Sequence, residues 1–225
     1  MVVKFIYLRR METPQSLQLL SAIEQRILGS LIEKSKATPD YYPMTISALT
    51  AACNQKTSRN PVVNYDEESI VLTLNMLKIK GLVGTVSGAG SRVVKYKHNL
   101  AIVYPLLPTE LVIVCLLLLR GPLTPGEINT NSSRLYEFET IEEVNELLQK
   151  LAADEPAYVV QLPKKAGQKE SRYMHLFGGI PEVNEQEEVA NDTPQSANTT
   201  ELEERITKLE KEVEELKELV NLLMN

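Results

Sequence analysis

Residues 85–98 read TVSGAGSRVVKYKH. Gly88 and Gly90 stand beside a hydroxyl and an arginine, a composition shared by phosphate-cradling loops and by the tips of β-hairpins. The residues after the glycines separate the two. A phosphate-binding glycine loop runs from a strand into a helix, so that the helix N-terminus faces the anion. Here β-branched Val93 and Val94 come next, and no helix begins. LVGTV (82–86) and VVKYK (93–97) therefore read as two short strands around a hairpin tip, whose glycines supply the positive φ a tight turn needs. Alternation places Lys95 and Lys97 on one face of the second strand and Tyr96 on the other, toward the core.

Upstream of this hairpin the periodicity is helical. Ser21-Ala22-Ile23-Glu24 is a capping box, followed by Ile23, Ile27, Leu28, Leu31 and Ile32 at helical spacing; this helix is expected to end near Lys34. TPDYYP (38–43) is a loop, a short helix spans about Thr45 to Ala52, and CNQKTSRNPVVN (53–64) reads as a long polar loop. Asp66 can cap a third helix with Ile70, Leu74 and Leu77 on one face, and Gly81 stops it. Three helices and then a hairpin is the order of the winged-helix variant of helix-turn-helix.

The second half repeats that order. An apolar helix covers about 109–119, and Thr124-Pro125-Gly126-Glu127 is a capping box with proline at the first helical position. Thr140-Ile141-Glu142-Glu143 reads as another box, opening a helix with Val144, Leu147, Leu148 and Leu151 inward. YVVQLP and SRYMHLF then flank KKAGQKE as a second hairpin. Tyr96-x-His98 and Tyr173-x-His175 occupy matching places, and the chain's 2 histidines are both there. We read an internal repeat. The expected fold is mainly α with small β-hairpins: an N-terminal extension (1–19), winged-helix domains at 20–100 and 101–177, a disordered acidic linker (178–200) and a coiled-coil helix (201–225).

The coiled coil rests on a heptad seam. Ile206, Val213 and Val220 take the a positions, and Leu202, Leu209, Leu216 and Leu223 the d positions. β-Branched a and leucine d residues favour a parallel pair. Arg205 with Glu210, and Glu212 with Lys217, would be opposite charges across it. A homodimer is the expectation; packing on another protein and a solvated lone helix are the alternatives.

Several of these motifs resemble one family. LGSLIEKSKATPDYYPMTISALTAACNQKTSRNPVVN, GLVGTVSGAGSRVVKYKH, LLLRGPLTPGEINTNSSRLYEF and KKAGQKESRYMHLF are similar to the YceH-like family of bacterial proteins, over about residues 20–177. The resemblance implies tandem winged helices and no activity, because that family is itself of undefined function.

Charge bounds the function classes. The chain has 225 residues and a net charge of −6. The excess of acid lies after residue 177; residues 20–100 carry 10 basic and 6 acidic residues, and residues 101–177 carry 7 and 10. A mildly basic first domain permits nucleic-acid contact. Lys56, Arg59, Arg92, Lys95 and Lys97 are the candidate contacts to the backbone phosphates of double-stranded DNA. Against base reading stand Asp66, Glu67 and Glu68, at the helix start that a helix-turn-helix presents to base edges. The function expected is therefore DNA-associated regulation through backbone contacts, with a non-catalytic protein-interaction scaffold as the alternative.

No nucleophile–base pair, phosphate loop, dinucleotide fingerprint or metal spacing is legible, so neither an enzyme nor a cofactor is expected. Cys53 and Cys115 lie in apolar helical contexts and read as buried thiols, which fits a reducing cytoplasm. MVVKFIYLRR has its arginines after its apolar run, unlike a signal peptide. LVIVCLLLL (111–119) is about half the length of a membrane span. NSSRLYEFE (131–139) offers Leu135, Tyr136 and Phe138 either to the core or to an exposed patch.

Overall fold

A computed structural model describes residues 16–87, 93–164, 170–180 and Lys217. It divides the chain into two units, Met1–Glu182 and Val183–Asn225. Of the second unit only Lys217 is described, so residues 181–200 of the linker and the heptad seam at Leu202, Ile206, Leu209, Val213, Leu216, Val220 and Leu223 lie outside the described residues.

The first unit is mainly helical with two small antiparallel strand pairs. Helix α1 spans Ala22–Ala37, α2 Ile46–Cys53 and α3 Glu67–Ile79; strands β1 (Val83–Val86) and β2 (Lys95–His98) come after them. A short α4 (Leu100–Val103) leads to α5 (Pro108–Arg120), α6 (Pro125–Ser132), α7 (Ile141–Ala153), β3 (Val159–Gln161) and β4 (Tyr173–His175). The helix starts are set locally. Ser21 Oγ accepts from the Glu24 N–H while Glu24 returns to the Ser21 N–H, and Thr124 and Glu127 do the same. The Asp66 carboxylate accepts from the Ser69 N–H at 2.7 Å. The third expected box is only half made: Thr140 caps the Glu143 N–H, but Glu143 accepts from the Glu139 N–H instead. Helix α1 outlasts its expected end by three residues, because Thr38 closes it through the Lys34 carbonyl.

The two strand pairs match each other at the level of single hydrogen bonds. Tyr96 exchanges both backbone bonds with Met44 (2.7 and 3.0 Å), and Tyr173 does so with Leu123 (2.8 and 3.1 Å). Val83 faces His98 across β1–β2, and Val159 faces His175 across β3–β4. Leu82 accepts from the Asn99 N–H, and Tyr158 from the Leu176 N–H. The bridges at Met44 and Leu123 each have a single residue, too short for alternation to reveal.

One buried cluster runs through both halves. Its centre is α1 on α5. Helix α5 buries every residue from Glu110 to Leu119, which is why LVIVCLLLL is apolar all round. The two helices approach closely at Gly29, where an added Cβ would stand 2.8 Å from Leu119 Cδ2. Cys115 Sγ donates to the Gly29 carbonyl at 3.3 Å. Cys53 and Cys115 are both buried free thiols, and burial pushes the Cys53 thiol up to about 11. Residues 16–20 strap this core: Leu20 N–H donates to the Phe177 carbonyl and Gln18 N–H to the Tyr104 hydroxyl. In the 131–139 segment Phe138 is buried, Leu135 half-buried and Tyr136 exposed, so the core takes Phe138 and part of Leu135 and leaves Tyr136 outside. Among the described residues no helix is long and apolar enough to cross a membrane.

Candidate nucleic-acid interface and the outer face of α3

Strand β2 sets two cations side by side. Register pairs Lys95 with Val86 and Lys97 with Gly84. Both lysines are exposed, while Tyr96 and His98 between and after them are half-buried. Gly84 leaves room for the Lys97 stem: a Cβ there would stand 3.4 Å from Lys97 Cε and 3.2 Å from Asn99 Nδ2. Neither lysine makes an ion pair among the described residues. Arg92 lies outside the described residues. Lys56 is exposed on a different segment, the loop from α2 to α3.

Arg59 departs from the expectation. It is no surface cation; its side chain is fully buried. The guanidinium grips Glu33 with two bonds of 2.7 and 3.1 Å and donates to the carbonyls of Ala52 and Ser58 and to Gln55 Oε1. Burial raises the Glu33 carboxyl, but the hydrogen bonds and charge of Arg59 outweigh it and hold Glu33 below the usual carboxylate range. Arg59 is thus withdrawn from the phosphate contacts, because no donor is left to offer.

The same network explains how a polar loop stays fixed. Arg26, also buried, donates to the Cys53 and Pro61 carbonyls (3.0 and 2.5 Å). Asn54 closes the loop neck on both backbone groups of Tyr65. Asn60 N–H reaches the Leu119 carbonyl and Arg120 reaches Ser58, which ties the loop to α5. Ser58 takes φ 59°, a left-handed value its short polar side chain tolerates at some cost. The sequence offers no sign of this, since the partner Glu33 sits 26 residues away in α1.

Both histidines are held in their strand pairs. His98 N–H donates to the Tyr42 hydroxyl at 2.7 Å, and its Nε2 lies 3.4 Å from Ser35 Oγ. Burial, with Lys36 nearby, depresses His98 to about 4, and burial alone does so for His175. Each leaves a buried Nδ1 without a hydrogen bond. Among the described residues no cluster of metal-ligating side chains occurs.

The outer side of α3 is a surface that core-seeking periodicity overlooks. Ile70, Thr73, Leu74 and Leu77 are buried, as the periodicity predicts for the apolar members. On the opposite side Leu72, Met76 and Ile79 are 62, 53 and 81% exposed. Exposed Glu67 and Glu68 open the helix, and exposed Lys78 lies near its end. Lys80, just beyond, pairs with Glu24 at 2.7 Å. Hydrogen bonds from the Ser69 hydroxyl and N–H hold Asp66 below its ordinary range, so the helix start stays anionic. The signal was in the letters: α3 has apolar residues on both sides of its wheel, too many for one core-facing stripe.

Comparison with known proteins agrees with the motifs. The family model described as "Protein of unknown function, DUF480" matches residues 20–168. A UPF0502 protein of Geotalea daltonii is 48% identical over 164 residues, 73% of this chain and 75% of its own length. One of Opitutus terrae is 42% identical over 181 residues (80% and 79%), and one of Pectobacterium carotovorum 44% over 179 (77% and 85%). The YceH-like resemblance is borne out, and the chain belongs to the DUF480, or UPF0502, family of bacterial proteins of unknown function.

Proposed function

We propose that residues 20–177 are two winged helices fused through α1 and α5, and that the chain is a non-catalytic protein-interaction scaffold that docks a partner on the outer side of α3. The carrying observation is the exposed row Leu72, Met76 and Ile79. A single exposed leucine means little. Three large apolar side chains at helical spacing on one helix are the pattern of an amphipathic docking face. In a winged helix α3 is also the element that enters the major groove. A groove offers apolar side chains little beyond thymine methyls, and its phosphates repel Asp66, Glu67 and Glu68. The heptad seam at 202–223 belongs to the same reading, as a parallel pairing element that gives the scaffold two docking faces.

Placing a photo-crosslinking amino acid at Met76 of the full chain, in the cells it comes from, tests this. A control at Gln149 on α7 reports chance encounters. A protein adduct at Met76 and not at Gln149 is the expected result. No adduct at Met76, or equal yields at both positions, overturns the reading.

Lys95 and Lys97 favour a second reading, DNA-associated regulation, in which β1–β2 with Lys56 and Arg92 holds backbone phosphates. Duplex binding measured by fluorescence anisotropy at several salt concentrations decides it. Affinity that falls steeply with salt, and is lost in Lys95→Glu/Lys97→Glu, supports phosphate contact. Equal binding by that variant removes it.

A further inference from the structure

We propose that the α2–α3 loop and the end of α5 form a binding site for a phosphoryl dianion, held by Arg120, Ser58 and Lys56. The site lies away from the outer side of α3 and does not depend on the docking reading.

The region beside this loop carries more positive charge than its own groups offset. Arg26, Lys34, Arg59 and Arg120 are all buried or half-buried. Arg59 and Lys34 share one carboxylate, Glu33, at 2.7 and 3.1 Å. Arg26 makes no ion pair among the described residues and donates to the Cys53 and Pro61 carbonyls. Arg120 makes none either; its Nη2 donates to Ser58 Oγ at 2.8 Å. Residues 53–65 contain no aspartate or glutamate, and Asp66 is taken up as the cap of α3. Helix α2 ends on the carbonyls that Arg26 and Arg59 hold, and α5 ends at Arg120. Each helix end offsets roughly half a charge, so four cations against one carboxylate and two helix ends leave a surplus of about two. A phosphoryl group carries about −1.5 to −2 at neutral pH, which matches that surplus. Chloride or one backbone phosphodiester supplies half of it. Burial lowers Arg26 and Arg120 from the ordinary guanidinium range, and the charge of Arg59 lowers both further; a bound anion relieves that repulsion.

The donors free to reach an anion lie at the solvent edge. Arg26 and Arg59 are committed inside. Arg120 is half-buried, and its Nε and Nη1 hydrogens have no partner among the described residues. Ser58 accepts from Arg120, which leaves its own hydroxyl hydrogen to donate. Its backbone is held at φ 59°, a value a non-glycine residue keeps only where its surroundings impose it. Lys56 is exposed two residues earlier and makes no ion pair among the described residues. The surface beside Arg120 is open: apart from chain neighbours, a Cβ added at Gly121 would meet only Asn60 Nδ2, at 3.9 Å. The planar fork of an arginine takes two oxygens of a phosphoryl group and leaves the third to the hydroxyl and the ammonium.

The test is equilibrium dialysis of the full chain against radiolabelled inorganic phosphate, at a slightly alkaline pH where phosphate is a dianion. One phosphate per chain is expected, displaced by sulfate and not by chloride at equal ionic strength. Arg120→Gln should weaken binding roughly tenfold or more. Lys56→Gln, at an exposed position that leaves the fold intact, should weaken it up to roughly fivefold. Lys95→Gln/Lys97→Gln removes more charge from another surface and should leave binding unchanged. No bound phosphate overturns the site, and so does parent affinity in both Arg120→Gln and Lys56→Gln. Equal weakening in Lys95→Gln/Lys97→Gln also overturns it, because the ion would then follow net charge alone. Competition names the source of the group. A small phosphomonoester that displaces phosphate assigns the terminal phosphoryl of a larger molecule, and one that fails to do so assigns free phosphate. A duplex without terminal phosphates that displaces it equally well makes this a backbone contact of the DNA reading and overturns the dianion.

Discussion

Helices α3 and α7 occupy the same place in the two halves, yet they present opposite outer faces. Each comes after the same helix–bridge–helix order, each carries an aspartate or threonine cap, and each leads into a strand pair with a histidine in register with valine. The outer side of α7 carries Glu142, Glu146, Gln149 and Lys150. Lys150 also reaches the buried Glu110 of α5, so even its exposed charge serves the core. The outer side of α3 carries Leu72, Met76 and Ile79. The backbone plan does not require apolar residues there, because α7 fulfils it without them. The difference is the ground for the docking role proposed for α3.

The ion pairs divide the halves in the same way. Arg59 is sealed inside the first half and its partner Glu33 is only 15% exposed, whereas Arg172 and Glu127 in the second are more than one-third exposed. Arg59→Ala leaves Glu33 without its main partner and strips bonds from the α2–α3 loop; a loss of about 3–5 kcal/mol is expected. Arg172→Ala should cost roughly 1 kcal/mol or less. Urea denaturation of both variants checks the contrast, and equal losses would break it.

Within α3 the two sides should behave as differently as the two helices do. Leu74→Ala, on the buried side, is expected to cost about 2–5 kcal/mol. Leu72→Gln, Met76→Gln and Ile79→Gln should each stay within about 0.5 kcal/mol of the parent. A large stability loss from the outer substitutions would mean that this side is core after all.

The histidines test what the halves share. His98 and His175 bind protons more weakly when folded than when unfolded, so the unfolded chain gains protons first as pH falls. Stability should be fully present above pH 6.5 and decline from there to about pH 4, by up to roughly 3 kcal/mol per histidine. Glu24 and Glu33, depressed by their partners, extend the loss to lower pH with the same sign. His98→Gln and His175→Gln should each flatten the upper part of that slope, by similar amounts if the two sites are equivalent. Thermal unfolding between pH 7 and 4 reads this directly.

The longer helices, the strand pairs and their order were legible in the letters alone, but the short α4 and the bridges at Met44 and Leu123 were not. Caps at Ser21, Asp66, Thr124 and Thr140, glycine at position 81 with φ 74°, and alternation in KYKH act over a few residues, so local reading finds them. Counting along β2 also separated its lysines from Tyr96, because a strand's two sides alternate. The fate of Arg59 was settled by packing, since a cation in a polar loop looks the same whether its carboxylate is solvent-separated or 26 residues distant and in contact. Packing also joined the halves, through the approach of Gly29 to Leu119. And it left Leu72, Met76 and Ile79 outside: hydrophobicity states a preference for burial, while geometry decides which apolar side chains the core has room to hold.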